Sequence, residues 1–460
     1  MRNNIYAQEV RVGDIVIGGT NGIAIQSMTN VPVGDISTSV NQCRRLFDAG
    51  ADLVRLSVPR FPDIDSLKLV KKQLEAEGYK KPLVADVHFS SQIAEECARI
   101  VEKVRINPGN YIDKRANFKE LNLCDHEYNL ELEKIHDRLL PLIKVCNEYG
   151  TAIRIGSNHG SLSDRILSRY GNTARGMVEA AMEFISIFGA ENFHNLVISM
   201  KASNVKVMTE SCELLTQRMI ETGYVYPQHL GVTEAGAGND ARIKSCLGVA
   251  YLLNKGIGDT IRVSLTENPV NEITFAKKFI AEFGDKKAYS EQNTISDFTG
   301  QVNFTPKASD IETAISETCI SLANNLIDRK ITNLQINGSI TGIDNNDFAA
   351  DIMQAAGIAI SKAEFISCPG CGRTNYDLER ISEAVKHEFS HLKGLKIATM
   401  GCVVNGPGEM ADADYGCVGS TKDHVIIYKG QTPVIRDVPQ DNAVEMLKKV
   451  IDENGDWKER

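Results

Sequence analysis

The sequence lacks the features that mark membrane proteins, secreted proteins and nucleic-acid binders. No apolar run approaches the roughly 18 residues that a membrane-spanning helix needs. The polar start MRNNIYAQEV has neither the apolar core nor the small-residue cleavage site of a secretory signal. Positive charge is not in excess, because 51 Lys and Arg face 60 Asp and Glu and leave a net charge of −9. We therefore expect no membrane and no nucleic acid among the binding partners.

Cysteine is also scarce: the 460 residues include 11, an odd number that is too dilute for a disulfide framework. This usage predicts a reducing, cytoplasmic location, where clustered cysteines more often bind metal than form disulfides. Hydrophobic residues at 42% and charged residues at 24% are typical of a folded globular chain, and they exclude collagen-like, coiled-coil and disordered classes.

What the sequence does contain is one kind of segment, repeated eight times between residues 23 and 265. Each copy is a short, β-rich apolar run that ends in polar or charged residues. The copies begin about 34 residues apart on average, which accommodates a strand, a helix and two loops. The eight runs begin at Ile23, Leu53, Leu83, Lys103, Ala152, Leu196, His229 and Thr260.

Amphipathic stretches separate these predicted strands. In the first, Ile36, Val40 and Phe47 share one helical face, with Asp35 positioned to cap its start and Gly50 to end it. Eight such units predict a (β/α)8 TIM barrel over residues 1–284. The alternative, an open doubly wound sheet, would carry glycine-rich nucleotide motifs that are missing here. The charged stretch at 112–140 predicts one or two extra helices on the barrel rim.

Two regions follow the barrel. Residues 285–360, richer in Asn, Ser, Thr and Asp, predict a small inserted subdomain or structured linker, with helices over 311–327 and 348–360 and a strand at ITNLQING. Residues 361–460 predict an α+β domain with a helix over 378–392, a strand at LKIATMG and a hairpin at HVIIYKGQTPVIRDV. The expected fold class is α/β, with an N-terminal barrel, an insert and a C-terminal α+β domain.

Positive charge is concentrated at the predicted carboxyl ends of the barrel strands, where TIM-barrel enzymes act. Arginine's planar fork suits phosphate oxygens, so cations converging there predict a diphosphate or similar polyanionic substrate. Pairing of each cation with a local carboxylate is the alternative. The cations are Arg55, Arg105, Arg154, Lys201 and Arg262, and their polar neighbours are Ser57, Asn107, Asn158, Ser203 and Ser264.

Four titratable residues on or after the third and seventh strands are candidates for proton transfer. They are Asp86, His88, His229 and Glu234. A histidine or acid of this kind is structural about as often as it is functional. Glu234, which lies in the sequence TEAG among the cations, is the preferred acid or base.

Cysteines cluster in the C-terminal region. Cys368 and Cys371 form C-x2-C, and Cys402 follows in GCVVNGPGE, where Gly and Pro let the backbone turn around a metal. A zinc ribbon would require a second C-x2-C pair, whereas soft thiolates on loops suit an iron–sulfur cluster. Spacing leaves the fourth ligand open between Cys417, Glu409, an external ligand and none.

A second motif, HEFSH at 387–391, matches the HExxH pattern of zinc proteases. Its histidines flank the predicted core face of their helix, and no obvious third ligand follows at the expected distance. We interpret the motif as the solvated side of a helix.

Taken together, these stretches resemble one family, 4-hydroxy-3-methylbut-2-enyl diphosphate synthase, the iron–sulfur enzyme of the methylerythritol phosphate route to isoprenoids. The resemblance covers residues 1–284 and about 361–420 in order. The matching stretches are QSMTN, ADLVRLSVP, PLVADVHF, RINPGN, AIRIGSNHGSLSDR, MKASN, HLGVTEAG, GIGDTIRVSL, ISCPGCGR and GCVVNGPGE.

The resemblance implies a [4Fe-4S] cluster held by Cys368, Cys371, Cys402 and Glu409 in a sulfite/nitrite reductase-like C-terminal domain. It implies a reductive dehydroxylation with ring opening that takes two electrons from ferredoxin or flavodoxin, with Glu234 or, as a weaker candidate, Asp86 giving a proton to the departing hydroxyl. The implied substrate is 2-C-methyl-D-erythritol 2,4-cyclodiphosphate. Its implied binding residues are Arg55, His88, Arg105, Asn107, Arg154, Asn158, Lys201, Ser203, Arg262 and Ser264.

Other functions fit part of the pattern. A non-redox hydro-lyase with an open iron would turn over without an electron donor. A metal-clipped binding module would not need five cations at one mouth, and a pterin-dependent transferase would not need the cysteines. Long family members carry a large middle domain, whereas residues 285–360 are short. The subunit arrangement therefore stays open, with a homodimer as the favoured expectation.

Overall fold

The computed structural model describes residues 5–113, 119–290, 297–403, 406–410 and 412–459. It begins with an antiparallel hairpin of two strands, β1 (Val10–Val12) and β2 (Ile15–Ile17). The hairpin's apolar side chains pack against the first inward-facing residues of the barrel strands, among them Ala24, Leu53 and Val84. This hairpin therefore closes the amino-terminal end of the barrel and leaves the opposite end for a site.

The barrel consists of eight parallel strands, and all eight predicted strands are confirmed. They are β3 (Ala24–Met28), β4 (Leu53–Ser57), β5 (Leu83–Asp86), β6 (Lys103–Ile106), β7 (Ala152–Asn158), β8 (Leu196–Lys201), β9 (His229–Leu230) and β10 (Thr260–Ile261). Their order is β8-β7-β6-β5-β4-β3-β10-β9, and a parallel bridge between Ile198 and Gln228 closes the ring. Each strand thus neighbours its sequence successor, as in a (β/α)8 barrel.

Nine helices of the described chain belong to this barrel. They are α1 (Ile36–Ala49), α2 (Pro62–Ala76), α3 (Ser91–Ala98), α4 (Asp125–Tyr149), α5 (Asp164–Tyr170), α6 (Ala174–Ala190), α7 (Val205–Thr222), α8 (Gly238–Asn254) and α9 (Pro269–Phe283). The predicted caps of α1 are confirmed: Asp35 accepts the Thr38 N–H, and Gly50 ends the helix at φ 109°. A cap of this kind contributes about 1 kcal/mol.

The connection between β6 and β7 differs from the prediction of separate rim helices. One helix, α4, runs for 25 residues, and residues 119–124 before it are not helical. Residues 114–118 lie outside the described part of the chain. The apolar positions Ile135, Leu139, Leu142 and Cys146 are buried on one face of α4, so the part of the charged stretch from Asp125 onward is the amino-terminal half of the barrel helix itself.

The insert is a β–α–β–α unit. It comprises β11 (Gly300–Phe304), α10 (Ile311–Ile327), β12 (Ile331–Ile336) and α11 (Asn345–Ala355), with the two strands parallel. The prediction for α10 is confirmed, α11 begins and ends earlier than predicted, and β11 was not predicted. Helix α10 packs on α8 and α9, and its buried Ala314, Leu322 and Leu326 belong to the same apolar core as the barrel. The insert therefore rests on the outer helices of the barrel.

The C-terminal region is built on a five-stranded sheet. Its elements are β13 (Glu364–Ser367), α12 (Leu378–Phe389), β14 (Lys396–Met400), α13 (Gly406–Glu409), β15 (Tyr415–Gly419), β16 (His424–Lys429), β17 (Thr432–Pro439) and α14 (Ala443–Glu453). Strands β13, β14 and β15 are parallel, and β16 with β17 forms the predicted hairpin. The domain boundaries at 284 and 360 stay a prediction.

The C-terminal sheet lies over the mouth of the barrel. The Thr266 hydroxyl donates to the carbonyl oxygen of Cys368 over 3.0 Å and lies 2.6 Å from the Ser367 hydroxyl. Two glycines permit an even closer approach, because a Cβ at Gly408 would lie 1.8 Å from the carbonyl oxygen of Gly160. No helix in the described part of the chain is long and apolar enough to cross a membrane.

Candidate active site

A cavity lies between the barrel mouth and the C-terminal domain. It is formed by the carboxyl ends of the barrel strands on one side and by the loops after β13 and β14 on the other. All five predicted cations line it. The other predicted residues that line it are Asp86, His88, Asn158, His229, Glu234, Ser264, Cys368, Cys371, Cys402 and Glu409.

Two predicted binding residues do not line this cavity. Asn107 accepts the Gly109 N–H over 3.1 Å and donates to the Ser161 hydroxyl over 2.8 Å, so it joins two loops of the rim. Ser203 lies in the turn before α7. Both follow strands that carry a cavity cation, which is why the sequence pattern selected them.

Two of the five cations are paired with barrel carboxylates. Arg105 donates from Nη1 to Asp86 over 3.1 Å. Arg262 donates from Nε and Nη2 to the two oxygens of Glu272, over 3.0 and 2.9 Å. For Arg105 and Arg262, a nearby carboxylate therefore balances the positive charge, as the alternative interpretation of the sequence predicted.

The other three cations form no ion pair with any described carboxylate. Arg55 donates to the sulfur of Met28 over 2.9 and 3.1 Å, and burial lowers its pKa to about 10. Arg154, 1% exposed, donates to the Ser199 hydroxyl, while its Nε and Nη2 have no partner among the described residues. Lys201 donates to a carbonyl oxygen over 3.1 Å. A buried cation without an ion pair, such as Arg154, is costly, and Arg55 and Lys201 beside it are half-buried, so an anion in this cavity would supply the missing partner.

Asp86 and His88 are held in defined states by these cations. Burial alone would raise the pKa of Asp86, but Arg55, His88 and Arg105 outweigh it and hold the pKa well below its usual range. Burial lowers the pKa of His88 to about 4, so its ring is neutral near neutral pH. Nε2 of His88 lies 2.6 Å from Nη1 of Arg105 and accepts its N–H, and Nδ1 lies 3.1 Å from the side-chain amide nitrogen of Asn110.

The pKa of Glu234 is shifted in the opposite direction from that of Asp86. It is 4% exposed, and burial together with the nearby Glu409 carboxylate raises its pKa well above the usual value. Its Oε1 accepts the Thr233 hydroxyl over 2.6 Å. The backbone of Glu234 is left-handed at φ 49°, an uncommon conformation for a residue with a side chain. The Ser367 N–H donates to its carbonyl oxygen over 3.3 Å, so the C-terminal domain supports this turn.

The cysteines and one carboxylate face the cavity from the opposite wall. Cys368 and Cys371 follow β13, Cys402 follows β14, and Glu409 ends α13. Sγ of Cys368 accepts the Gly401 N–H over 3.1 Å. Of the two side chains considered as a fourth ligand, Glu409 lines the cavity, whereas Cys417 is fully buried in the sheet.

The donor set is chemically suited to an iron–sulfur cluster. Three thiols on loops and one carboxylate line the same cavity, and soft thiolates are the ligands that such clusters take from proteins.

The HEFSH motif lies outside this cavity. Nε2 of His391 lies 2.7 Å from the Lys458 carbonyl oxygen, and its ring packs edge-on against Trp457 with centroids 5.1 Å apart. His391 thus contributes to the carboxyl-terminal packing of the chain.

Sequence reasoning missed one charged residue of the site, Arg373. It lines the cavity from the C-terminal domain, with Nη2 3.7 Å from Asp86. The signal was present in the stretch ISCPGCGR, where an arginine follows the second cysteine by two residues. Only the fold reveals that this arginine meets the barrel cations.

Comparison with known families decides the relationship. Residues 7–277 match the family model described as the GcpE TIM-barrel domain, and residues 364–453 match the GcpE protein C-terminal domain. The chain belongs to the GcpE family. The resemblance identified from the sequence is therefore confirmed, and the family's two domains correspond to the two walls of the cavity.

Three relatives carry the name 4-hydroxy-3-methylbut-2-en-1-yl diphosphate synthase (flavodoxin). The Phocaeicola vulgatus protein is 36% identical, covering 99% of this chain and 98% of its own. The Parabacteroides distasonis protein is 35% identical, covering 99% of this chain and 99% of its own. The Leptospira interrogans protein is 32% identical, covering 98% of this chain and 97% of its own. The first alignment spans 604 positions, more than the 460 residues here, so that relative has additional residues.

Two solved structures share a distant likeness with this chain. A truncated 3-deoxy-D-arabino-heptulosonate 7-phosphate synthase from Thermotoga maritima is 10% identical with a TM-score of 0.39, covering 61% of this chain and 94% of its own. An N-acetylneuraminic acid synthetase from Leptospira borgpetersenii is 14% identical with a TM-score of 0.40, covering 63% and 95%. These scores carry no argument about function.

Proposed function

We propose that this chain is a [4Fe-4S] oxidoreductase that converts 2-C-methyl-D-erythritol 2,4-cyclodiphosphate to (E)-4-hydroxy-3-methylbut-2-enyl diphosphate in isoprenoid biosynthesis. The names of the relatives support the reaction. The observation that carries the proposal is the shared cavity: three thiols and a carboxylate face barrel cations that lack counterions. A redox group and an anionic substrate would therefore meet in one place.

The barrel wall binds the diphosphate. Arg55, Arg154 and Lys201 offer N–H donors that no described carboxylate occupies, and all three line the cavity. A cyclic diphosphate carries one negative charge on each phosphate at neutral pH. Binding it would neutralise cations that are otherwise buried at a cost, and the charge-assisted hydrogen bonds would fix the orientation of the ring.

The opposite wall holds the cluster through Cys368, Cys371, Cys402 and Glu409. The cluster, when bound, supplies electrons one at a time at low potential. Carboxylate is a harder ligand than thiolate, so Glu409 is the exchangeable member of the set. Asn158 donates to Oε1 of Glu409 over 3.0 Å and holds that carboxylate towards the barrel.

Proton delivery is assigned to Glu234 rather than Asp86. Asp86 is ionised and already accepts from Arg105, with Arg373 beside its other oxygen. Glu234 has no guanidinium partner among the described residues and lies in the same cavity. The reaction consumes two electrons and a proton: the C–O bond to the ring phosphate breaks, a C=C bond forms, and the hydroxyl leaves as water. Glu234 would hold the proton that the hydroxyl takes.

We also propose that one chain forms the complete site, with flavodoxin as electron donor in the cytoplasm. Both walls of the cavity come from the same chain here, so a homodimer is not required for chemistry. The donor is inferred from the relatives' names, which specify flavodoxin.

The test is product analysis under anaerobic conditions. Cluster-loaded protein is incubated with the cyclic diphosphate, with and without dithionite. The expected result is the linear hydroxylated diphosphate in the reduced sample alone. Product formed without a reductant would indicate the alternative, a hydro-lyase, and would overturn the proposal.

A further inference from the structure

We propose that Arg373 is the residue through which the C-terminal domain itself binds the substrate diphosphate, so that the bound anion ties the two walls of the cavity together. This inference deepens the proposed function and rests on it. Arg373 follows Cys371 by two residues and lines the cavity opposite the barrel cations.

The hydrogen bonding of Arg373 is incomplete. Its side chain is 11% exposed, and both Nε and Nη1 are buried without a hydrogen-bond partner among the described residues. A buried N–H that is left unpaired destabilises the folded protein. A guanidinium has no acceptor and cannot give up its charge, so these N–H groups need acceptors, and an anion that enters the cavity would supply them.

The charge on Arg373 is also incompletely balanced. Its one described ion-pair partner is Asp86, with Nη2 3.7 Å from Oδ2. That carboxylate already receives Arg105 at 3.1 Å and has His88 at 3.5 Å. One carboxylate therefore serves two guanidinium groups and cannot by itself balance both of their charges. Arg55 lies close enough to sense the charge of Arg373.

These contacts determine the charge of the missing acceptor and the number of oxygens it must present. It must be anionic, because it lies among cations from both walls. It must present several oxygens, because Arg55 and Arg154 on the barrel and Arg373 opposite them all offer N–H groups. A diphosphate meets both requirements, and arginine's fork binds phosphate oxygens in pairs.

A different role must be separated from this one. The thiols of Cys371 and Cys402 also lie beside the guanidinium. An arginine that acted only on cluster ligands would change the reduction potential of the cluster and leave anion affinity unchanged. An arginine that binds the diphosphate would change anion affinity in cluster-loaded protein whose absorption spectrum and iron content are normal.

The experiment is calorimetric titration of anaerobic, cluster-loaded protein with inorganic diphosphate and, separately, with the cyclic diphosphate. The variant R373Q should raise Kd for both ligands about 10-fold or more, because a charge-assisted hydrogen bond is lost. The control R380Q removes an exposed arginine of the same domain, which pairs with Asp441 at 2.7 Å, and should leave both Kd values unchanged. An R373Q protein with wild-type Kd values overturns the inference, as does an equal loss in R380Q.

If R373Q does not retain its cluster, a second variant, R373K, tests the inference. R373K keeps the charge but loses the planar fork, and its Kd for inorganic diphosphate should rise about threefold. A wild-type Kd in R373K would then overturn the inference. Failure of the proposed function looks different: wild-type protein would bind inorganic diphosphate, with Arg373 contributing, but would not reduce the cyclic substrate.

Discussion

The side-chain amide of Asn158 donates a hydrogen bond to Oε1 of Glu409 over 3.0 Å and so joins the barrel to the C-terminal domain inside the cavity. Asn158 ends β7, and its Oδ1 accepts the Gly160 N–H at the start of the following turn. The absence of a Cβ at Gly160 and Gly408 lets the two backbones meet there. The position of Glu409 is therefore set by the barrel as well as by its own domain.

Replacing Glu409 by alanine should reduce iron content and activity far more than replacing Cys417 by serine. Glu409 lines the cavity with the three thiols, whereas Cys417 is fully buried in β15 among apolar side chains. The measurement is iron per chain and turnover after anaerobic reconstitution. Equal losses in E409A and C417S would mean that the fourth ligand is assigned wrongly.

Arg154 and Arg262 should respond in opposite directions when each is changed to methionine. R154M removes a buried charge with two unpaired nitrogens, so stability should rise by about 1–3 kcal/mol while affinity for the cyclic diphosphate falls at least about 10-fold. R262M leaves Glu272 without its guanidinium and should cost about 3–5 kcal/mol.

Thermal unfolding and ligand titration of the two variants check this pair. Each is the other's control, since both replace an arginine of the same mouth. If R154M and R262M lost similar amounts of stability, the assignment of Arg154 as an anion-binding residue would be contradicted.

Acid should weaken the contact between barrel and C-terminal domain through Asp240. This residue of α8 binds Lys362 at 2.7 Å and Lys386 at 2.5 Å. Burial alone would raise its pKa, but the two ammonium groups outweigh burial and lower the pKa from 3.8 to about 2. A folded-state pKa below the unfolded value means that the stabilisation is complete above about pH 4 and is lost as pH falls towards 2.

The variant D240N should therefore melt below the wild type at neutral pH, and the difference in melting temperature should shrink to roughly half by about pH 3. D441N is the matched control, because Asp441 binds Arg380 on the surface, where ion pairs contribute little. A wild-type minus D240N difference that stays constant down to that pH would refute the linkage.

Two variants that are impaired on opposite walls of the cavity should not restore activity to one another. E409A has lost a cluster ligand and R154M a substrate cation, and both residues belong to a cavity formed within one chain. Mixing the two cluster-reconstituted variants should give no more activity than their sum. Substantial recovery would show that the barrel of one chain works with the C-terminal domain of another.

Much of this architecture was predictable because local rules determine it. The strand runs, the caps of α1 at Asp35 and Gly50, and helix α10 follow from periodicity and capping chemistry. The convergence of the five cations followed from one rule of barrel geometry, that strand ends share one mouth.

What could not be predicted depends on contacts between distant segments. Nothing in the sequence links Arg262 to Glu272 rather than to a ligand, or Arg373 to Asp86, since those pairs form only after the barrel closes and the second domain docks. Asn107 and Ser203 lie outside the cavity for a related reason: the alternation of side chains along a strand gives the direction of a side chain but not where the loop after the strand turns.

Metal content and turnover of protein purified without oxygen test the cluster and the reaction together. The protein should be brown, carry about four iron atoms per chain and, with dithionite, reduce the cyclic diphosphate to the linear product. Colourless protein that carries zinc after anaerobic reconstitution, or iron-loaded protein that leaves the cyclic diphosphate intact, would contradict the proposed function.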